Sequence, residues 1–364
     1  MERQRLVKLV VEGFTSISSA TVELRALNVL VGANGAGKSN FIRAFGMLGS
    51  IFAGDMRFFV GKAGGASALL HAGSEEASAV RFEVHSPTAG YSAELVRDDE
   101  DSLIFSREDL RSPIHTEHMV SLGRGHRETH LSRAGYDTLP GAEPVLEAIR
   151  GSRVYHFSNT GREAPATSSQ FIADNQALHP DAGNIAPVLL RLRESDNPAY
   201  ERIVATVRLA APFFRDFVLE PELAPDRVLL RWRQEGSYRV FPPSALSDGT
   251  LRFICLATLL LQPELASLII LDEPELGLHP FAISLLAEML QAASRQSQVL
   301  IATQSVTLMN MFALDDLIVA ERRQGASVFE RPDPEKLRDW LTDYSLGELW
   351  EMNILGGRPG PERG

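Results

Sequence analysis

The chain has 364 residues, 44% of them hydrophobic and 23% charged, which excludes a mostly disordered, collagen-like or coiled-coil protein. Acidic residues outnumber Lys and Arg by 47 to 36. The resulting net charge of −11 excludes general attraction to nucleic acid, so any such contact needs a local basic patch. Because Cys255 is the sole cysteine, no intramolecular disulfide can form.

Short strands and a single long helix are predicted in the first part of the chain. They are strands over 5–11, 20–24 and 27–31, a helix over 38–50, a loop over 54–74, and antiparallel strands over 79–86, 91–97 and 102–107. Between 111 and 150 the periodicity fades, and the pattern predicts only a short helix over 143–150.

Strands and helices alternate in the rest of the chain. They are a strand over 152–157, helices over 184–194 and 198–211, strands over 215–220 and 226–233, a helix over 248–261, a strand over 267–272, a helix over 280–293, a strand over 298–302, a short helix over 305–311, and strands over 316–320 and 326–330. This order predicts one α/β domain, split by an insertion. We place its two parts at 1–110 and 212–355, the inserted lid or arm at 111–211, and a disordered tail at 356–364.

No apolar run approaches the roughly 20 residues that span a bilayer. The amino terminus also lacks the apolar stretch and cleavage site of a signal peptide. We therefore expect a cytoplasmic protein without a membrane partner.

The strongest local signal is a phosphate-binding loop between a predicted strand and a predicted helix. The run from Gly32 to Ser39 fits G-x-x-x-x-G-K-[ST]. Its glycines let backbone N–H groups turn toward a phosphate, and we expect Lys38 to bridge the β- and γ-phosphates of a nucleotide and the Ser39 hydroxyl to bind Mg²⁺. The predicted nucleotide-binding residues are Gly32, Asn34, Gly35, Ala36, Gly37, Lys38, Ser39 and Asn40.

Two carboxylates end the apolar strand over 267–272. Such a strand delivers its last side chains to the carboxyl edge of a parallel sheet, where ligands bind. Asp272 is predicted to hold Mg²⁺, and Glu273 to orient or deprotonate the attacking water.

A third signal begins the helix predicted over 248–261. Ser247, Asp248 and Gly249 lie at its start, and they predict free N–H groups and a free hydroxyl that can bind a phosphate. One chain cannot apply this segment and its own phosphate loop to the same nucleotide if the two lie far apart. A homodimer that forms on ATP is the simplest solution.

Together these elements resemble the ABC-type ATPase superfamily, and most of all its RecF/OLD/SMC-like branch. The runs LVVEGF, GANGAGKSN, LSDGT and LDEPELGLHP carry the resemblance, which covers roughly residues 1–75 and 240–325. It implies an ABC-type P-loop ATPase head of α/β fold, with an antiparallel β subdomain and an inserted lid or arm. It also implies that two heads enclose two ATP molecules and that hydrolysis opens them to act on a partner or on DNA.

The resemblance further assigns positions around the nucleotide. Gln304 stands where the family has its switch histidine and is predicted to act in catalysis. Its amide can form hydrogen bonds, but it cannot take up or release a proton at neutral pH. Glu275 and His279 fall in the loop that crosses the family's dimer interface, but His279 is equally well explained as a helix cap. His71 lies in the region of the family's Q-loop position, but it is at least as well explained as an ordinary loop histidine.

Four histidines, at 115, 118, 126 and 130, lie within sixteen positions. Their spacings are compatible with a metal site, but without a nearby cysteine or a clear helix the sequence favours a solvated segment.

Three functions fit the sequence. The first is an ATP-hydrolysing dimer in DNA maintenance or anti-phage defence that acts with a separate effector protein, with DNA as a further candidate partner. The second is an ATP-dependent sensor or scaffold with little turnover, which Gln304 favours. A transporter ATPase is disfavoured because about 210 residues separate Lys38 from Ser247 and the Leu-Ser-Gly-Gly-Gln signature is absent.

Overall fold

The computed structural model describes residues 5–71, 79–111, 119–131, 143–161, 163–221 and 226–357. The chain divides into two compact units. Unit 1 consists of residues 1–154, 266–270 and 297–364, and unit 2 of residues 155–265 and 271–296.

The described strands, in chain order, are β1 (Lys8–Phe14), β2 (Ile17–Glu23), β3 (Leu27–Val31), β4 (Ala79–His85), β5 (Gly90–Arg97), β6 (Leu103–Arg111), β7 (Met119–Gly123), β8 (Ser152–Tyr155), β9 (Gln170–Phe171), β10 (Phe214–Val218), β11 (Arg227–Val228), β12 (Arg231–Gln234), β13 (Val240–Phe241), β14 (Leu268–Asp272), β15 (Gln298–Thr303), β16 (Leu317–Arg323) and β17 (Ala326–Glu330). The helices are α1 (Lys38–Ala53), α2 (Met56–Ala63), α3 (Glu143–Arg150), α4 (Ile185–Ser195), α5 (Asn197–Ala210), α6 (Asp248–Leu261), α7 (Pro280–Ala293), α8 (Val306–Met309), α9 (Pro334–Leu337), α10 (Trp340–Asp343) and α11 (Leu346–Glu351).

An antiparallel sheet of unit 1 has the strand order β2-β1-β4-β5-β6-β7. Burial alternates along β4, as expected for a strand with one face on a core. Phe82 of this strand is fully buried and meets Phe14 edge to face, with ring centroids 5.4 Å apart. This sheet forms much of the apolar core of unit 1.

A second, mixed sheet has the order β17-β16-β3-β15-β14-β8. Every residue of β3 and of β15 is buried, as is typical of inner strands of a parallel sheet. The parallel register places Thr303 of β15 and Val319 of β16 beside Val31 of β3. The loops that follow Val31 and Thr303 therefore leave the sheet at the same edge.

Helix α1 begins directly after Gly37, which has φ 102°, and ends at Gly54, which has φ 75°. Both glycines have a left-handed backbone conformation, which glycine adopts without strain, and they mark the two ends of the helix. Phe41 and Phe45 are buried along its inner face, and the Phe41 ring lies 4.8 Å from that of Phe329 on β17. Packing of this face fixes the helix that follows the phosphate loop.

The loop predicted over 54–74 is wrong for Met56–Ala63, which forms α2. Met56 and Val60 are buried one turn apart, and the carboxylate of Glu128 accepts hydrogen bonds from the N–H groups of Met56 (2.9 Å) and Arg57 (3.0 Å). A cap supplied by a residue so distant in sequence leaves no local signal. Strand β7 was likewise not predicted, and the strand predicted over 226–233 is divided into β11 and β12.

In unit 2, α6 packs against both α5 and α7. Ten of its residues are buried, Cys255 among them, and the helix predicted over 248–261 is confirmed. Strands β10, β12 and β13 form a small antiparallel sheet, and β9 pairs with β11.

Gly356 and Gly357 are the first two residues of the tail that was predicted to be disordered. Residues 358–364 lie outside the described part of the chain. Gly357 is buried, and its carbonyl accepts a hydrogen bond of 2.8 Å from Ala33 N–H. Among the described helices, none combines the length and the hydropathy that a bilayer crossing requires.

Candidate nucleotide site

The predicted phosphate loop connects β3 to α1. Gly35 and Gly37 have φ values of 80° and 102°, which other residues adopt only with strain. Asn34, Gly35 and Ser39 are exposed, so the outer side of the loop faces solvent. A loop of this conformation at a helix amino terminus is suited to bind an anion, because its N–H groups and the helix dipole both favour negative charge.

Lys38 is 6% exposed, and its ammonium is held by the loop itself. The Nζ donates to the carbonyl oxygens of Gly32 (2.7 Å) and Ala33 (3.0 Å). A buried ammonium requires such acceptors. The side chain therefore lies folded within the loop, where its charge favours a phosphate.

Close packing beneath the loop explains two of its glycines. A Cβ at Gly32 would lie 2.4 Å from the Ala320 carbonyl oxygen of β16. A Cβ at Gly37 would lie 2.1 Å from Ser327 Oγ of β17. Larger residues at either position would displace the loop from the sheet.

Asn40 belongs to a hydrogen-bond network that supports the phosphate loop. Its Nδ2 donates to Ser16 Oγ at 2.8 Å, and Ser16 Oγ is hydrogen-bonded to Ser327 Oγ at 2.7 Å. This network joins α1 to the β1–β2 turn and to β17. The nucleotide-binding role of Asn40 stays a prediction.

Gln304 follows β15 at the edge of the sheet from which the phosphate loop also leaves. It is half-buried, and the next residue, Ser305, caps α8 by accepting a hydrogen bond from Leu308 N–H. The predicted switch residue and the phosphate loop therefore belong to neighbouring strand ends within unit 1.

Asp272 and Glu273 are half-buried at the carboxyl end of β14, as predicted from the strand pattern. Glu273 has φ 45°, the left-handed region. For a glutamate this conformation costs of order 1 kcal/mol and is retained where surrounding structure demands it, often at functional sites. Together with Arg252, these two carboxylates are among the residues that line a cavity of about 170 Å³ in unit 2.

Ser247 and Asp248 are exposed at the start of α6. The prediction of a free hydroxyl is wrong for Ser247: its Oγ accepts a hydrogen bond from Thr250 N–H (3.2 Å) and pairs with Thr250 Oγ1 (2.8 Å). Gly249 lies against the loop after β14, where a Cβ would come 2.3 Å from the Gly277 carbonyl oxygen. The start of α6 is thus packed against the PELGLHP segment.

Arg252 is a structural residue that sequence analysis missed. It is 7% exposed, and its guanidinium donates to the carbonyls of Phe157 (2.9 Å), Ser158 (3.3 Å) and Leu276. Burial is the main influence on this group and lowers the pKa of Arg252. A single arginine in the apolar run LRFICLATLLL was the available signal, because such a buried charge needs several acceptors.

We expect Arg252→Ala to destabilise unit 2 by about 3 kcal/mol, because it leaves buried carbonyl groups without a donor. The denaturant midpoint of the full chain measures this effect. Arg202→Ala, which removes an exposed arginine of α5, serves as the matched control. An unchanged midpoint for Arg252→Ala would show that water replaces the guanidinium at little cost.

The remaining candidates have local explanations. The imidazole of His279 caps α7 by accepting from Phe281 N–H at 3.3 Å, as one of the two readings of this residue predicted. His71 Nδ1 lies 2.8 Å from the Thr15 carbonyl oxygen.

The prediction of a solvated histidine segment is wrong for His126 and His130. Both are half-buried, and their rings stack with centroids 3.7 Å apart, because a fully buried carboxylate, Glu108, holds their loop. His115 and His118 lie outside the described residues.

The fold and the loop define a class, the P-loop ATPase head of mixed α/β architecture. A family model described as "AAA domain, putative AbiEii toxin, Type IV TA system" matches residues 27–310. The chain belongs to this AAA family, which confirms the resemblance to ABC-type and SMC-like ATPases. A search of curated protein sequences finds no significant match.

Solved SMC heads share the fold. The SMC head bound to the C-winged helix domain of ScpA aligns with a TM-score of 0.56 and 18% identity, over 92% of this chain and 99% of that one. The SMC head of Pyrococcus furiosus bound to the C-terminal domain of ScpA aligns with a TM-score of 0.54 and 16% identity, over 93% and 99%. The SMC head of Pyrococcus yayanosii gives 0.51 and 14%, over 93% and 99%.

Proposed function

We propose that the chain binds and hydrolyses ATP as a homodimer that ATP holds closed. The conformation of the loop from Gly32 to Ser39 carries this proposal, because its left-handed glycines and folded Lys38 form an anion-binding cradle before α1. Membership of an AAA family supports ATP as the anion.

Each predicted side chain has a role in the proposed reaction. Lys38 bridges the β- and γ-phosphates, and Glu273 accepts a proton from the attacking water or orients it. Gln304 hydrogen-bonds the γ-phosphate or that water, since its amide can donate and accept but cannot move a proton at neutral pH.

Mg²⁺ is the metal that we propose for this reaction. A hydroxyl and a carboxylate, those of Ser39 and Asp272, are oxygen ligands of the kind that Mg²⁺ prefers. When bound, the ion offsets the negative charge of the phosphate oxygens. Ser39 is exposed and Asp272 is half-buried, so each is accessible to a ligand.

The molecular mass of Glu273→Gln in solution, with and without ATP–Mg²⁺, tests the proposal. We expect a monomer that becomes a dimer when ATP–Mg²⁺ is added, because binding is retained while the reaction that opens the dimer is lost. A constant mass with ATP bound would contradict the ATP-gated dimer.

The dimer proposal also predicts the effect of a bulky cation at the start of α6. Ser247→Arg is expected to bind ATP with wild-type affinity but to remain monomeric, because an arginine at this exposed position obstructs the partner's nucleotide. Ser244→Arg places the same side chain at an exposed position three residues earlier and should still dimerise. Dimerisation of Ser247→Arg would count against this interface.

A separate effector protein completes the first proposed function. The family description names a toxin of a type IV toxin–antitoxin system, and a similar SMC head is described as bound to ScpA. Both support a protein partner, and the former favours a defence role over DNA maintenance. DNA remains a candidate second partner.

The second candidate is an ATP-dependent sensor or scaffold that regulates a partner with little turnover. Gln304 at the switch position favours it, because this side chain cannot carry a proton. Steady-state turnover, with Glu273→Gln as the inactive reference, separates the two. Turnover no faster than that of the variant would favour the sensor.

A further inference from the structure

A buried carboxylate organises the loop that follows β7. Glu108 of β6 is fully buried and accepts hydrogen bonds from Tyr91 Oη (2.8 Å) and Thr129 Oγ1 (2.5 Å). His130 N–H also donates to it (3.0 Å), and His126 Nε2 lies 2.9 Å from the same oxygen. Burial and the Glu108 charge together raise the pKa of Tyr91 well above its usual range, so the phenol stays a donor.

The partners of the two imidazoles define which nitrogen carries hydrogen. A carboxylate only accepts, so His126 Nε2–H donates to Glu108. A carbonyl only accepts, so His130 Nδ1–H donates to Leu122 at 2.7 Å. A neutral imidazole has one N–H, and therefore His126 Nδ1 and His130 Nε2 carry lone pairs.

Neither nitrogen has a partner in good hydrogen-bond geometry among the described residues, although both atoms are buried, and the backbone of Arg124 lies beside the His126 ring. Such atoms are uncommon in folded proteins and cost free energy.

This is the arrangement of metal-binding histidines, which donate their second ring N–H to a carboxylate or a backbone carbonyl. Ligand atoms of Glu108, His126 and His130 lie within 4.8 Å of one another. We propose that these three residues form a site for a divalent transition metal, with His126 Nδ1 and His130 Nε2 as ligands and Glu108 orienting His126.

The stacked rings determine how the ion enters. Their planes differ by 20° and their centroids are 3.7 Å apart. Lone pairs lie in the ring planes, so two nearly parallel rings do not direct them to one point. On binding, His130 turns out of the stack and exchanges its hydrogen bond to the Leu122 carbonyl for the ion, while His126 keeps its hydrogen bond to Glu108. The His126 side chain is 9% exposed.

The ligand type separates this site from the proposed nucleotide site. Imidazole nitrogen suits Zn²⁺, Co²⁺, Ni²⁺ and Cu²⁺, whereas Mg²⁺ prefers oxygen. An ion here would also hold the loop from His126 to His130, whose Glu128 caps α2. We therefore expect metal binding to raise the melting temperature.

The test uses the metal-free full chain without nucleotide and with excess Mg²⁺, titrated with Zn²⁺ or Co²⁺. We expect stoichiometric Zn²⁺ to remain after gel filtration. Visible Co²⁺ bands should indicate nitrogen and oxygen ligands without thiolate. His126→Gln and His130→Gln should each weaken Zn²⁺ binding by at least about ten-fold.

His179→Gln is the matched control, because His179 Nε2 also faces a carboxylate, Asp174 Oδ1 at 3.1 Å, but at an exposed position. This variant should retain the ion. Loss of Zn²⁺ in His179→Gln alone, or equal binding in His126→Gln and His130→Gln, would overturn the proposal. If those variants do not fold, the wild-type protein decides: no retained Zn²⁺ and no Co²⁺ bands would refute the site.

Discussion

Lys38→Ala is expected to weaken ATP binding by more than about 100-fold, since its ammonium would form charge-assisted hydrogen bonds to two phosphate groups. In the structure this ammonium is buried and held by the Gly32 and Ala33 carbonyls. Those carbonyls cannot attract a phosphate by themselves. Calorimetric titration with ATP–Mg²⁺ measures the change.

Lys62→Ala is the control for this experiment, because it removes the same charge from the exposed last turn of α2. Thermal unfolding should show that Lys38→Ala remains folded. ATP affinity equal to that of Lys62→Ala would mean that the loop does not bind the triphosphate.

Glu273→Gln should reduce ATP turnover by about 100-fold or more, because an amide cannot accept the proton of the attacking water. ATP affinity should stay unchanged, since the substitution preserves the size of the side chain. Glu273 directly follows β14 and has a left-handed backbone conformation, with φ 45°. Phosphate release at saturating ATP measures the effect.

Glu288→Gln makes the same chemical change on the exposed face of α7 and should leave turnover unchanged. Loss of ATP binding together with turnover in Glu273→Gln would point to a damaged strand end instead of a missing base. Undiminished turnover would assign the proton acceptor to another residue.

Sequence analysis predicted the parts of the site whose chemistry is local. The loop from Gly32 to Ser39 needs glycines at fixed spacing, and β14 needs an apolar run before Asp272. The structure has both, and it places Gln304 at the strand end beside the loop. Whether these residues bind and hydrolyse ATP stays a prediction for the experiments above.

Other features depend on pairs of residues that sequence analysis could not match. Helix α2 is capped by Glu128, 72 residues from Met56. Arg252 donates to carbonyls 95 and 24 residues away. The hydroxyl of Ser247 was predicted to be free. Instead it caps the helix that follows, because it accepts a hydrogen bond from Thr250 N–H.

The amino-acid sequence by itself determined the α/β class, the phosphate loop and the carboxylate-ended strand, because glycine spacing and apolar periodicity act over a few residues. Only the tertiary structure decided which buried polar groups meet. Glu108 accepts hydrogen bonds from His126 and His130, which are separated from it by a strand and a turn. A buried carboxylate needs such donors, and only the folded chain brings them to it.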